Sequence, residues 1–356
     1  MDTTRYDVVI IGGGAAGLSA ATTLGRALRS VLVIDSGTPR NAPAAGVHGY
    51  LSRDGMSPGE LLAIGRSEVL SYGGTVIDGE AASARRTPDG FEVILGDARR
   101  FSGRRLLVTT GLTDQLPPID GLREQWGKGV VHCPYCHGWE IRGQRIGVLG
   151  TGPLSVHQAL LFRQWSPDIT LFLNDTVEPT DEEWDKLAAR SIRVVDGAVA
   201  SVEAVDGALA GVTLRQGSSF DVQALAVGTR MEARSALLES LGLDSQVHPS
   251  GAGRFIETDA VGATTVRGVY AAGNVSNIMA QVITAAAEGV MAGSRINADL
   301  IEEETLWAVE GHFGPFSAAS EAAVSRIVLG PGRHGLDDGQ EAEHMAPTTT
   351  AAREPV

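Results

Sequence analysis

A glycine cluster near the N-terminus, Gly12-Gly13-Gly14-Ala15-Ala16-Gly17, limits the choice of fold more than any other feature of the chain. An apolar run over residues 6–11 precedes it, and a helical pattern over 15–28 follows. A second apolar run at 31–34 then ends on Asp35. This spacing predicts a strand–turn–helix–strand unit. Gly12 permits the tight turn, Gly14 lets the backbone approach a pyrophosphate, and Gly17 lets the helix pack close to the strand. A helix opening at Ala15 and Ala16 stabilises phosphate charge, and Asp35 can accept from a ribose hydroxyl. A glycine-rich turn without a ligand is the competing reading, but the complete context points to dinucleotide binding. The motif alone does not choose between FAD and NAD.

The pattern recurs once. Residues 146–149 are apolar, Gly150-Thr151-Gly152-Pro153-Leu154-Ser155 follows, and a helix to about residue 165 leads to a strand at 169–173. At 356 residues the chain has room for about two domains. The fold class expected is α/β, with two doubly wound Rossmann-like dinucleotide-binding domains. Residues 1–115 and 250–310 form one discontinuous domain, and 116–249 an inserted one. Residues 311–356 form a C-terminal extension, with a short helix over 318–328 and a mobile tail from about 330. Leu116-Pro117-Pro118 marks the first crossing. The net charge of −14 argues against nucleic acid and anionic membrane surfaces as partners. Neither a signal peptide nor an apolar stretch of membrane-spanning length is read, so a cytoplasmic location is expected.

Cys133-Pro134-Tyr135-Cys136 holds the only two cysteines. A C-x-x-C turn brings two sulfurs within disulfide reach, and a helix opening there lowers a thiol pKa. Half of a zinc site and a pair of inert buried thiols are the alternatives. Zinc takes four ligands and no second C-x-x-C exists, while the flanking His132 and His137 cannot all converge with the cysteines on one ion. No metal is expected. In a reducing compartment the pair reads as redox-active.

Further along, Gly268-Val269-Tyr270-Ala271-Ala272-Gly273-Asn274 precedes an Ala-rich helix over about 281–301. With the first glycine cluster, Thr109-Thr110-Gly111 and the placement of the C-x-x-C, this resembles the thioredoxin-reductase-like FAD-dependent disulfide oxidoreductases over roughly residues 5–303. His137, where thioredoxin reductases carry Asp, is similar to the dithiol oxidases that close the disulfides of gliotoxin, holomycin and romidepsin. The resemblance implies FAD held by the first turn, Asp35, Ser36, Arg40, Asn41, Gly111, Gly273, Asn274, Gln281 and Val282. Asn274 replaces the family's usual Asp and keeps an acceptor oxygen, whereas Ala280 replaces an Arg. Cys136 would face the flavin C4a, Cys133 would exchange with substrate, and His137 would move protons. It also implies a homodimer, a small-molecule dithiol as substrate and O2 as electron acceptor.

The second glycine turn departs from the reductases. They follow the next strand with arginines for the 2′-phosphate of NADPH, whereas this chain has Asn174-Asp175-Thr176-Val177-Glu178-Pro179-Thr180-Asp181. Those carboxylates repel a phosphate, so NADPH is not expected. NADH stays open through Asp175, as does a nicotinamide domain kept only as scaffold. An NAD(P)H-dependent reductase of thioredoxin-like proteins and a flavoprotein redox sensor are the rival functions.

Overall fold

The computed structural model describes residues 5–314 and 317–329. The first unit forms as β1 (Arg5–Ile11), α1 (Ala15–Arg26) and β2 (Val31–Asp35). Residues 8–11 and 31–34 are buried without alternation, the pattern of parallel strands covered on both faces. α2 (Pro58–Ser71) starts where the Ser57 side chain accepts from the Glu60 N–H, with Pro58 in the first turn. β3 (Thr75–Asp78), β4 (Ala81–Thr87), β5 (Gly90–Leu95) and β6 (Arg100–Val108) complete the first segment.

The chain leaves through β7 (Leu112–Gln115). β8 (Val130–Val131), α3 (Pro134–His137), β9 (Ile146–Leu149), α4 (Ser155–Phe162), β10 (Ile169–Phe172), α5 (Asp181–Ala189) and β11 (Arg193–Val195) follow. An antiparallel set, β12 (Val199–Val205), β13 (Ala208–Leu214) and β14 (Ser219–Asp221), precedes β15 (Ala224–Val227). The second sheet is parallel, in the order β11-β10-β9-β15-β8.

β16 (Arg230–Ala233) brings the chain back, pairing antiparallel with β7 so that Gln115 lies opposite Arg230 and Leu112 opposite Ala233. α6 (Ala236–Glu239) follows, then β17 (Gln246–Val247), β18 (Gly253–Phe255), β19 (Val269–Ala271) and α7 (Val282–Phe313). Leu237, Leu238 and Leu243 share a core with Ile11, Leu32 and Val108 of the first sheet. The return crossing therefore comes well before residue 250. β6 has two partners along one edge: residues 100–103 pair antiparallel with β5, and 106–108 pair parallel with β19.

α7 runs past the expected end near residue 301. Residues from Ala298 onward form a separate compact unit that includes the end of α7 and α8 (Ala318–Leu329). The expected tail from 330 lies outside the described residues. No helix among the described residues is long and apolar enough to cross a membrane.

Candidate active site

Both sheets place their glycine turns at the carboxyl ends of parallel strands, where the strand order reverses and ligands bind in such folds. In the first turn Gly12 has φ +109°, a left-handed conformation that favours glycine. A Cβ on Gly17 would lie 1.9 Å from the Gly12 carbonyl oxygen, so this position admits no side chain. Gly14 differs: a Cβ there would meet nothing within 4 Å, which leaves open space at the helix N-terminus. No side chain caps that end of α1. Thr109, just past β6, donates its hydroxyl to the Gly12 carbonyl at 2.8 Å and so ties the two strand ends together.

Asp35 accepts from the Gly13 N–H at 3.1 Å and pairs with Arg66, which also reaches Asp78 at 3.1 Å. Sequence reasoning missed Arg66, because its partner lies 31 residues away. Arg40, expected to hold FAD, lines the cavity and is also tied to the protein itself. Its guanidinium makes a two-point pair with Asp114 on β7, at 2.6 and 2.8 Å, and Asp114 also accepts from the Thr229 hydroxyl at 2.6 Å. Burial raises the Asp114 pKa, but the Arg40 bonds and charge outweigh it and hold the carboxyl below the usual range.

The Asn274 amide spends both protons on the carbonyls of Asn277 and Ala280, at 3.0 and 2.9 Å. Its Oδ1 keeps its acceptor capacity, and Asn274 lines the cavity described below. Glu288 of α7 fixes the turn, taking the Gly273 N–H at 2.9 Å and the Asn277 amide at 2.6 Å. α7 begins at Val282, with Gln281 just before it. A Cβ on Gly289 would come 2.0 Å from the Ala16 carbonyl oxygen, so α7 and α1 touch backbone to backbone.

The second sheet carries the cysteines. Its edge strand β8 ends at Val131, and the chain passes through His132 into α3, with Cys133 just before the helix. The two Sγ atoms are 2.6 Å apart and both thiols are free. A helix does open at Cys133, but α3 is a single turn of four residues, which carries only a small dipole. The Cys133 thiol is still lowered to about 7, first by the Cys136 thiol, then by the N–H groups of Cys136 and Tyr135 against an opposing burial effect. Cys136 is pushed up by its partner sulfur and by burial. Proton affinity thus divides the pair, and Cys133 is the thiol that ionises more readily.

His137 closes α3; burial lowers its pKa, and its buried Nδ1 has no hydrogen-bond partner. His48 lies 3.7 Å from Glu140 and 3.5 Å from Asp54. The described residues contain no cluster of His, Cys, Asp or Glu able to hold a metal.

One cavity of about 1640 Å³ joins these parts. It is lined by the first turn, residues 35–41, Gly111, Cys133, Cys136, His137, Gly273, Asn274, Gln281 and Val282. Every residue expected at the flavin or at the thiol chemistry except Gly17 lines it, and Gly17 packs behind the turn, while Asp175 does not line it. The vacant space at Gly14, the open helix end and the Asn274 acceptor fit a dinucleotide with a polyhydroxyl chain. A dinucleotide cradle that shares a cavity with vicinal thiols defines a two-domain redox protein.

Comparison with known proteins agrees. The chain belongs to the pyridine nucleotide-disulphide oxidoreductase family, whose model matches residues 6–289. It is a thioredoxin-reductase-like disulfide oxidoreductase, and membership of this family implies FAD. A protein called thioredoxin reductase tcpT from Claviceps purpurea is 32% identical over 85% of this chain and 98% of its own length. Thioredoxin reductase sirT from Leptosphaeria maculans is 31% identical, over 82% and 93%. The crystal structure of HlmI superposes with a TM-score of 0.82 at 44% identity, covering 87% of this chain and 98% of that one.

Proposed function

We propose that the protein oxidises a small-molecule dithiol to an intramolecular disulfide and passes the electrons to O2. The balance is R(SH)2 + O2 → RS2 + H2O2. The single observation that carries this reading is the second glycine turn. Ser155 Oγ accepts from the N–H groups of Thr151 and Gly152, at 3.0 and 3.3 Å, and the next residue, Pro153, has no N–H. Donors that a nicotinamide pyrophosphate needs are thus spent within the turn. Asn174, after β10, is likewise committed at both ends of its amide, to the Gly150 carbonyl and the Val199 N–H. This supports electron entry through thiols rather than through NADPH or NADH.

FAD, held by the first turn, Asn274 and the start of α7, would supply a two-electron acceptor beside the cysteines. The protein's own residues do the rest. A substrate thiolate attacks the Cys133 sulfur of the Cys133–Cys136 disulfide, and Cys136 leaves as thiolate. The second substrate thiol attacks the mixed disulfide, releases Cys133 and closes the product. His137, kept neutral by burial, takes up a proton. We further propose that the enzyme works in the cytoplasm as a homodimer.

The reverse direction, NADH-driven disulfide reduction, is the second reading; the intact second parallel sheet and the names of the relatives favour it. Oxygen uptake with dithiothreitol and no nicotinamide is the expected result. Rapid anaerobic bleaching of the flavin by NADH or NADPH, with no dithiol-driven oxygen uptake, overturns it.

A further inference from the structure

The dithiol reaction releases two substrate protons, and besides His137 and His48 the site holds the imidazole of His132. β8 pairs with β15 through Val130↔Leu225 and Val131↔Ala226, which brings His132 beside the end of β15. Its Nδ1 lies 3.0 Å from the Val227 carbonyl oxygen. A carbonyl only accepts, so Nδ1 carries the proton and Nε2 carries the lone pair. The backbone is fixed as well, because Gln158 Nε2 donates to the His132 carbonyl at 3.1 Å. His132 and both cysteines line the same cavity. The ring is therefore held as the Nδ1–H tautomer, one residue before the exchanging sulfur and on the cavity that both cysteines line.

The charged and titratable groups around it are Arg40, Asp114 and His137. Burial lowers the His132 pKa most, Arg40 lowers it further, and the Val227 carbonyl and Asp114 oppose them. The net effect keeps the ring neutral near pH 7. Arg40 and Asp114 are themselves joined by two hydrogen bonds, so this pair adds little net charge beside the ring.

We propose that His132 is a second general base of the thiol exchange, so that His132 and His137 each take one of the two substrate protons. The inference rests on the dithiol-oxidation reading. In balanced form, R(SH)2 and the Cys133–Cys136 disulfide give RS2 and two protein thiols, with two protons carried from substrate to protein through the imidazoles. Neither imidazole gains or loses a proton over the whole exchange.

His132→Asn tests this, because its side-chain N–H can still reach the Val227 carbonyl while the Nε2 base is gone. The FAD-loaded protein is mixed anaerobically with dithiothreitol. Two signals are followed: protein thiols trapped by iodoacetamide and counted by mass, and flavin absorbance. The expected result is a fall of about a hundredfold in the rate of protein-thiol formation at pH 7. The deficit should shrink toward wild type above the thiol pKa of dithiothreitol, where solution supplies thiolate. An unchanged rate with an unchanged pH profile overturns the inference, and so does an equal loss at every pH, which marks a structural role. If the Asn variant does not retain FAD, His132→Gln is read in the same way. Failure of wild-type protein to react with any dithiol overturns the parent reading instead, so the two failures remain distinct.

Discussion

The two glycine turns are built on the same strand–turn–helix frame, and each spends the N–H of its second residue on a side chain, Gly13 on Asp35 and Thr151 on Ser155, yet they part at the third residue, Gly14 against Gly152. In the first, the third glycine, Gly17, sits so close to the Gly12 carbonyl that no side chain fits, and the donors of Gly14, Ala15 and Ala16 face a cavity with no side-chain cap. In the second, Ser155 occupies the equivalent place and turns its hydroxyl back onto Thr151 and Gly152. One small-residue substitution thus converts an anion-binding turn into one that satisfies itself. A shared fold does not mean a shared ligand.

The comparison can be broken most forcefully at Gly17. Gly17→Ala drives a methyl into backbone that cannot yield, so a loss of about 3 kcal/mol and purification without FAD are expected. Urea unfolding and the flavin spectrum check this; a stable yellow variant contradicts the packing argument. Gly14→Ala separates cradle from packing. Its methyl enters open space, so unfolding should be unchanged while FAD binding weakens about tenfold, or about 1.4 kcal/mol by titration. Ser155→Gly sharpens the other side. Freed donors should cost about 1 kcal/mol of stability and raise NADH affinity by a few-fold, as read by fluorescence quenching. If wild type already binds NADH as tightly as the variant does, the contrast between the turns fails.

The smallest effect concerns pH. His132 and His137 have lowered pKa values in the fold, so the unfolded chain binds protons first, and stability should fall as pH drops below the ordinary imidazole value of 6.5. Melting temperature against pH checks the sign; His132→Asn should flatten the slope. Iodoacetamide labelling of the reduced protein should titrate at Cys133 with a midpoint of about 7, whereas Cys136 should stay protected.

Local patterns carried much of this into the sequence. Both strand–turn–helix units, the cysteine turn and the Gly273-Asn274 turn depend on residues within one short segment, and periodicity and glycine spacing report such segments directly. Side-chain commitments between distant segments were not legible. The two-point pair of Arg40 was hidden because nothing local announces Asp114, 74 residues on. Glu288 sits inside an Ala-rich helix and gives no sign that it holds Gly273 and Asn277. Ser155 stands where the first turn has Gly17, and spacing alone does not show that its hydroxyl turns back onto Thr151 and Gly152. His132 counted only as a neighbour of the cysteines until the position of Val227 fixed its tautomer.

The zipped crossing strands carry a last consequence. Gln115 and Arg230 face each other at one end of the β7–β16 ribbon, so the whole excursion between them starts and finishes at adjacent points. Such an excursion behaves as a cassette. A tight turn across that gap would restore an ordinary hairpin and leave the first sheet's strand pairs untouched. Trading the module for another thiol-bearing one would ask nothing new of the flavin half except a fit at its rim.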